Sequence, residues 1–154
     1  MKILLVDDHA MVRAGLRRLL SDDIEAAAFG AAASPSEALD CVRSEPWDIV
    51  VLDLSLPGRS GLETVKDIHT MRPGLPILIM TMHAEEEYAV RAFRAGAAGY
   101  ITKCASPDDF VAAVRKVAAG GRYVTPSAGE VLAKGFDARS EQPAHAVLSD
   151  RELQ

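Results

Sequence analysis

Only two cysteines, Cys41 and Cys104, occur in 154 residues, and they show no paired spacing of the kind that holds a metal. A disulfide framework is therefore excluded, and a reducing cytoplasm is the setting that fits. Basic residues are not in excess: the net charge of −5 leaves no global positive field to attract nucleic acid. Long apolar runs are missing too. No window approaches the roughly 18 apolar residues of a membrane span. The apolar stretch after Met1-Lys2 stops at Val6 against two aspartates, far short of the roughly 7–15 residues of a signal-peptide core. The chain thus reads as untargeted, soluble and cytoplasmic. Aromatic residues are only 5%, which with many alanines implies thin packing of helices on a sheet. The length suits one compact domain with an appended segment.

What is present is a set of short apolar runs that end in reactive side chains. Ile3-Leu4-Leu5-Val6 meets Asp7-Asp8, Ile49-Val50-Val51-Leu52 meets Asp53, Ile77-Leu78-Ile79-Met80 meets Thr81, and Gly99-Tyr100-Ile101-Thr102 meets Lys103. Short β-branched runs separated by helical patterns read as buried parallel strands. In open parallel sheets the ligand sits at the carboxyl ends of the strands. Three carboxylates, a hydroxyl and an ammonium should therefore converge on one edge.

Between these runs the helices declare themselves. Residues 10–20 place Val12, Leu16, Leu19 and Leu20 on one face, with Arg13, Arg17 and Arg18 opposite as a solvated face. A weaker strand is placed at 26–30. Ser34-Pro35-Ser36-Glu37 carries an N-cap, a first-turn proline and a capping-box glutamate for the second helix. Trp47, after Pro46, reads as a packing anchor at the mouth of the next strand, and Cys41 as a small buried apolar residue. Residues 61–70 form a third helix and 85–95 a fourth, closed by Gly96. Ser106-Pro107 starts a fifth, which runs to Ala119 and stops at Gly120-Gly121. Five strands alternating with five helices give an α/β, doubly wound, five-stranded parallel sheet. Thr125-Pro126 starts one more short helix to about Lys134, 135–146 is a linker, and 148–154 looks like a helix start that breaks off.

The acidic edge sets a chemical problem. Two unit charges about 4 Å apart repel by about 1 kcal/mol in water and about 4 at an effective dielectric of 20. A hard cation relieves such a cluster, and an all-oxygen set without cysteine or clustered histidine suits Mg²⁺. An aspartate beside that ion can attack phosphorus and become an acyl phosphate. The new group brings roughly −2 charge and needs an ammonium and a hydroxyl donor. Lys103 and Thr81 are those residue types, at the ends of the neighbouring strands. Phosphoryl transfer asks mainly for such positioning and charge neutralisation.

The segments Leu4-Leu5-Val6-Asp7-Asp8, Val50 to Gly61 with its Asp53-Leu54-Ser55-Leu56-Pro57-Gly58 passage, Met80-Thr81 and Gly99-Tyr100-Ile101-Thr102-Lys103 resemble the receiver domain of two-component response regulators, the CheY-like, flavodoxin-like fold. The resemblance implies that Asp53 is the phospho-acceptor. It also implies that Asp8 and Asp53 ligate Mg²⁺ directly, Asp7 mainly through a water, and the Ser55 backbone carbonyl supplies a further oxygen. Thr81 and Tyr100 would be the switch pair, and Lys103 the phosphate counter-ion. The histidine after the acid pair, the Ala97-Ala98-Gly99-Tyr100 passage and Gly120 to Pro126 resemble the NarL/FixJ subfamily, whose output domain is a LuxR-type helix-turn-helix. Leu148-Ser149-Asp150-Arg151-Glu152-Leu153 is similar to the opening of that domain.

The implied organisation is a receiver at 1–120, a short helix and linker at 121–147, and the start of a truncated output domain at 148–154. The implied partners are a sensor histidine kinase and, on phosphorylation, a second copy of the chain. That homodimer would form through the first and fifth helices, or through the fourth helix with the last strand and fifth helix. DNA would be bound only through the output domain, and no membrane is involved. The implied role is a regulator of transcription and not an enzyme, beyond its own phosphorylation and dephosphorylation. Two other readings stand beside it: a receiver that takes no phosphate and serves as a protein-binding module, and an aspartate-nucleophile phosphatase. The phosphatase would want an acid two residues after Asp53, where Ser55 stands. In one respect the chain departs from many receivers, which have a proline after the site lysine; here Cys104 is next, and a trans Lys103–Cys104 bond is expected. His83, two residues past Thr81, reads as a solvent-facing loop residue, with a functional group bordering the phosphate as the alternative.

Overall fold

β-Branched and leucine-rich runs too short for a helix form the strands, and their alternation feeds two separate cores. The computed structural model describes residues 1–55, 60–82 and 86–124. In chain order these form β1 (Lys2–Val6), α1 (Ala10–Asp23), β2 (Ala28–Ala32), α2 (Pro35–Ser44), β3 (Ile49–Asp53), α3 (Gly61–Met71), β4 (Ile77–Thr81), α4 (Glu86–Ala95), β5 (Gly99–Thr102) and α5 (Pro107–Ala118). The strands pair in parallel in the order β2-β1-β3-β4-β5. One side chain of each successive pair goes to each face of the sheet. Leu4, Val6, Val50, Leu52, Ile77 and Ile79 pack with Ala38, Val42, Val65, Ile68, Ala89 and Ala92 of α2, α3 and α4. Ile3, Leu5, Ile49, Val51, Leu78 and Met80 pack with Leu20 of α1 and Phe110, Val114 and Val117 of α5. The sheet is doubly wound, as expected, and small alanines on α4 allow the thin packing that the composition implied.

The start signals act as read. Ser34 accepts from the Glu37 amide at 3.2 Å and Ser106 from the Asp109 amide at 3.1 Å, each with a proline in the first turn. The capping box closes one residue early, because Glu37 Oε2 accepts from the Ala33 amide at 2.9 Å. Gly96 ends α4 at φ +121°, a conformation that an L side chain rarely adopts. Trp47 is the anchor expected: its indole N–H donates to the Cys41 carbonyl at 2.9 Å, and Lys2 Nζ lies 4.9 Å from its ring centre. Cys41 is half-buried against the first core, and burial with nearby Glu37, Glu45 and Asp40 pushes its thiol pKa up, which disfavours the thiolate.

Several boundaries differ from the sequence reading, most of them by a single residue. β2 runs two residues later than 26–30, because the Ala-rich stretch has little size contrast to set a register and Ala26 turns the chain at φ +59°. α1 continues to Asp23, since nothing between Leu20 and Ile24 breaks it. Arg13 is not on the solvated face: its guanidinium donates to the Asp7 carbonyl. The fourth helix begins at Glu86, and Glu85 is outside the described residues. So are His83, the loop at 56–59, and everything read into 125–154: the extra helix, the linker and the final helix start.

One glycine ties α3 to the loop after β3. A Cβ on Gly61 would stand 2.3 Å from the Leu54 carbonyl oxygen, which is backbone and cannot swing away. Gly61→Ala should therefore lower stability by about 1–3 kcal/mol, the range for overpacking. A urea midpoint equal to the wild type's would contradict this contact.

Candidate functional site

β1 and β3 lie side by side with Val6 opposite Leu52, so Asp7 and Asp53 emerge next to each other at the carboxyl edge. This is also where the strand order reverses, the crevice at which open α/β sheets bind ligands. On the other side of β3, Thr81 closes β4 opposite Thr102 of β5, and the Lys103 amide donates to the Thr81 carbonyl at 2.7 Å. The apolar runs thus bring their terminal residues to one edge. Asp7, Asp53 and Thr81 are buried there, and Asp8 is partly exposed beside them.

The Lys103 side chain joins the strands. Its Nζ donates to Asp7 Oδ2 at 2.9 Å and to Asp53 Oδ2 at 3.1 Å, spanning 96 and 50 residues of sequence. The second oxygen of each acid is held locally. Asp53 Oδ1 accepts from the Ser55 amide at 3.0 Å and its hydroxyl at 2.8 Å. Asp7 Oδ1 accepts from the His9 amide at 2.8 Å. Burial alone would raise the Asp7 pKa, but the Lys103 hydrogen bond, the His9 amide and the lysine's charge together hold it below the usual 3.8. Burial likewise works against the Lys103 ammonium, yet Asp7 and Asp53 hold its pKa above the usual 10.5.

Two residues belong here that the sequence reading passed over. His9 Nδ1 lies 3.2 Å from Asp7 Oδ1 and 3.0 Å from Asp8 Oδ1. Arg13, one turn into α1, grips the main chain at Asp7. His9 could have been suspected, because it directly succeeds the acid pair in a loop that must turn back over the sheet edge. Arg13 carried no such signal. Tyr100 is buried, with its ring in the core between the sheet and α3 and α4. No cis peptide bond occurs among the described residues, so Lys103–Cys104 is trans, and Cys104 is exposed.

Asp7, Asp8, His9 and Asp53 each offer a ligand atom within 4.8 Å of the others. Three carboxylates dominate that set, which is the oxygen-rich chemistry a hard divalent cation prefers. A crevice at the switch point of a 2-1-3-4-5 sheet, with a carboxylate cluster bridged by one ammonium, defines a receiver-type α/β domain. The response regulator receiver domain model matches residues 3–115, and the chain belongs to that family. It is 37% identical to the response regulator UvrY of Escherichia coli over 153 residues, which are 99% of this chain and 70% of that protein. It is 36% identical to the response regulator GacA of Pseudomonas aeruginosa, covering 99% and 72%. Among solved structures, a LuxR-family two-component response regulator from Aurantimonas sp. is 41% identical, covering 86% of this chain and 95% of that one at a TM-score of 0.80. Among the described residues no helix is long and apolar enough to cross a membrane.

Proposed function

We propose that this response regulator is switched by phosphorylation of Asp53 and controls transcription through a LuxR-type output domain. One observation carries the reading: a single, largely buried ammonium, Lys103 Nζ, bonds both the Asp53 and the Asp7 carboxylates at the edge where Thr81 also ends. With Ser55 fixing Oδ1, Asp53 presents Oδ2 as nucleophile. The Oδ2–phosphorus bond forms as the bond between phosphorus and a phosphohistidine nitrogen of a sensor kinase breaks. Lys103 then transfers its hydrogen bonds to the phosphoryl oxygens, and Thr81 supplies a hydroxyl to another. Asp8 and Asp53, with Asp7 through a water and the Ser55 carbonyl, would hold Mg²⁺, which neutralises charge on the incoming phosphoryl group. Ser55 in place of an acid leaves no proton donor for turnover, which supports a regulator over a phosphatase.

In this reading 1–120 is the receiver, the segment up to 147 joins it to the output domain, and 148–154 is the opening of that output domain, which contacts DNA. The phosphorylated receiver pairs with a second copy. Thr81 and Tyr100 are the switch pair that reports the phosphate.

Incubation with Mg²⁺ and a small acyl phosphate, then intact mass, tests the proposal. A single persistent phosphate adduct that fails to form with chelator is expected. Continuous consumption of the acyl phosphate without an adduct would make the chain an enzyme, and no reaction at all would make it a binding module.

A further inference from the structure

The two edges of the sheet are finished differently. β2 is largely open to solvent, whereas β5 is buried over its first three residues. The difference lies in the path of the chain after α5. Gly120, at φ +95°, and Gly121 close the helix through bonds to the Val117 and Lys116 carbonyls, and the chain returns along β5. Tyr123 makes a parallel bridge with Gly99. The Tyr123 amide donates to the Ala98 carbonyl at 3.1 Å, and the Tyr100 amide donates to the Tyr123 carbonyl at 2.9 Å. Side chains alternate as in a strand: Tyr123 packs on the α1 and α5 side of the sheet, and Val124 on the side that holds Tyr100. Residues 122–124 are therefore a rudimentary sixth strand, strapped to the free edge of β5.

Besides its pairing with β4, β5 has two further attachments. At its carboxyl end Lys103 bonds Asp7 and Asp53, and three residues earlier the Tyr100 amide bonds the strap. We propose that strap docking and the state of the Asp53 site form one linked equilibrium, so that phosphorylation reaches the chain beyond residue 124 as a change in strap pairing on β5. The inference rests on Asp53 being the phospho-acceptor. When Lys103 leaves the two carboxylates for a phosphoryl group, the displacement enters β5 directly. The strap, with two main-chain hydrogen bonds and two half-buried side chains, is the least secured part of the sheet that touches it. Linkage makes the effect reciprocal: whatever loosens the strap must alter the affinity of the site.

Amide hydrogen exchange of the 154-residue chain, monitored by NMR with Mg²⁺ alone and with Mg²⁺ plus beryllofluoride, tests this. Exchange at Tyr100 and Tyr123 should change about fivefold or more on adding beryllofluoride, while Leu4 in β1 stays constant. Tyr123→Pro, which deletes the donor to Ala98, should shift beryllofluoride affinity by a similar factor. If that variant misfolds, Tyr123→Ala, which strips the packing but keeps the amide, takes its place. Resonances of Asp53 and Lys103 that respond to beryllofluoride, with Tyr100 and Tyr123 exchange and the variant's affinity unchanged, would overturn the strap and leave the acceptor intact. No response at Asp53 would overturn both.

Discussion

Asp53→Asn should abolish phosphorylation, cutting adduct formation from a small acyl phosphate on the order of a thousandfold or more. The amide nitrogen is no nucleophile, and the amide oxygen carries too little charge to attack phosphorus. The fold should survive the change. Asn can still accept from the Ser55 amide and hydroxyl through its oxygen, which are local contacts two residues away. Lys103 loses one acceptor but keeps Asp7 at 2.9 Å. Intact mass after incubation with Mg²⁺ should stay at the unmodified value while the circular dichroism spectrum matches the wild type. An adduct forming at the wild-type rate would place the acceptor on Asp7 or Asp8 instead.

Lys103→Ala should have the largest effect on stability, because it strands two carboxylates, Asp7 and Asp53, that are only 3% and 2% exposed. Removing one partner of a buried ion pair costs about 3 kcal/mol at neutral pH. The sign with pH is set by the directions of the two pKa shifts. The Asp7 pKa is lowered in the fold, so its contribution is present above the usual 3.8 and is lost as pH falls through the depressed value. The Lys103 pKa is raised, so its contribution is complete below the usual 10.5 and is lost as pH rises through the elevated value. The gap between wild type and variant should therefore be widest between those limits and close in acid. There Asp7 takes up a proton, and the lysine no longer has that charge to balance. Urea midpoints of the metal-free proteins at neutral and acidic pH measure this. Mg²⁺ should also raise the variant's midpoint more than the wild type's, because nothing else then neutralises the cluster. A variant as stable as the wild type at neutral pH would show that the bridge contributes nothing.

Much of the fold was legible because its signals are local. An apolar run that ends at Asp7, Asp53, Thr81 or Lys103 marks a strand and its carboxyl end together, and Ser-Pro at 34 and 106 marks helix starts through bonds that close within three residues. β2 was misplaced for the opposite reason: apart from Phe29 and Gly30, the stretch from Ala26 to Ala33 is alanine, and only pairing of Lys2 with Ala28 fixes its register. The helical arginines show the same limit. Arg17 lies 5.6 Å from the Phe29 ring and Arg13 reaches the Asp7 carbonyl, and no periodicity within α1 distinguishes them from solvated charges.

By itself the sequence determined which residues could carry the chemistry and at which strand end each would stand, since hydrophobic runs and their terminators depend only on near neighbours. The tertiary structure decided which contacts they make there. The order β2-β1-β3-β4-β5 sets Asp7 beside Asp53 and lets one lysine bond both. It also turns His9 onto the acids and returns Tyr123 to the edge of β5. These contacts join elements far apart in the chain. They arise from burying both faces of the sheet at once, and no stretch of sequence encodes that condition alone.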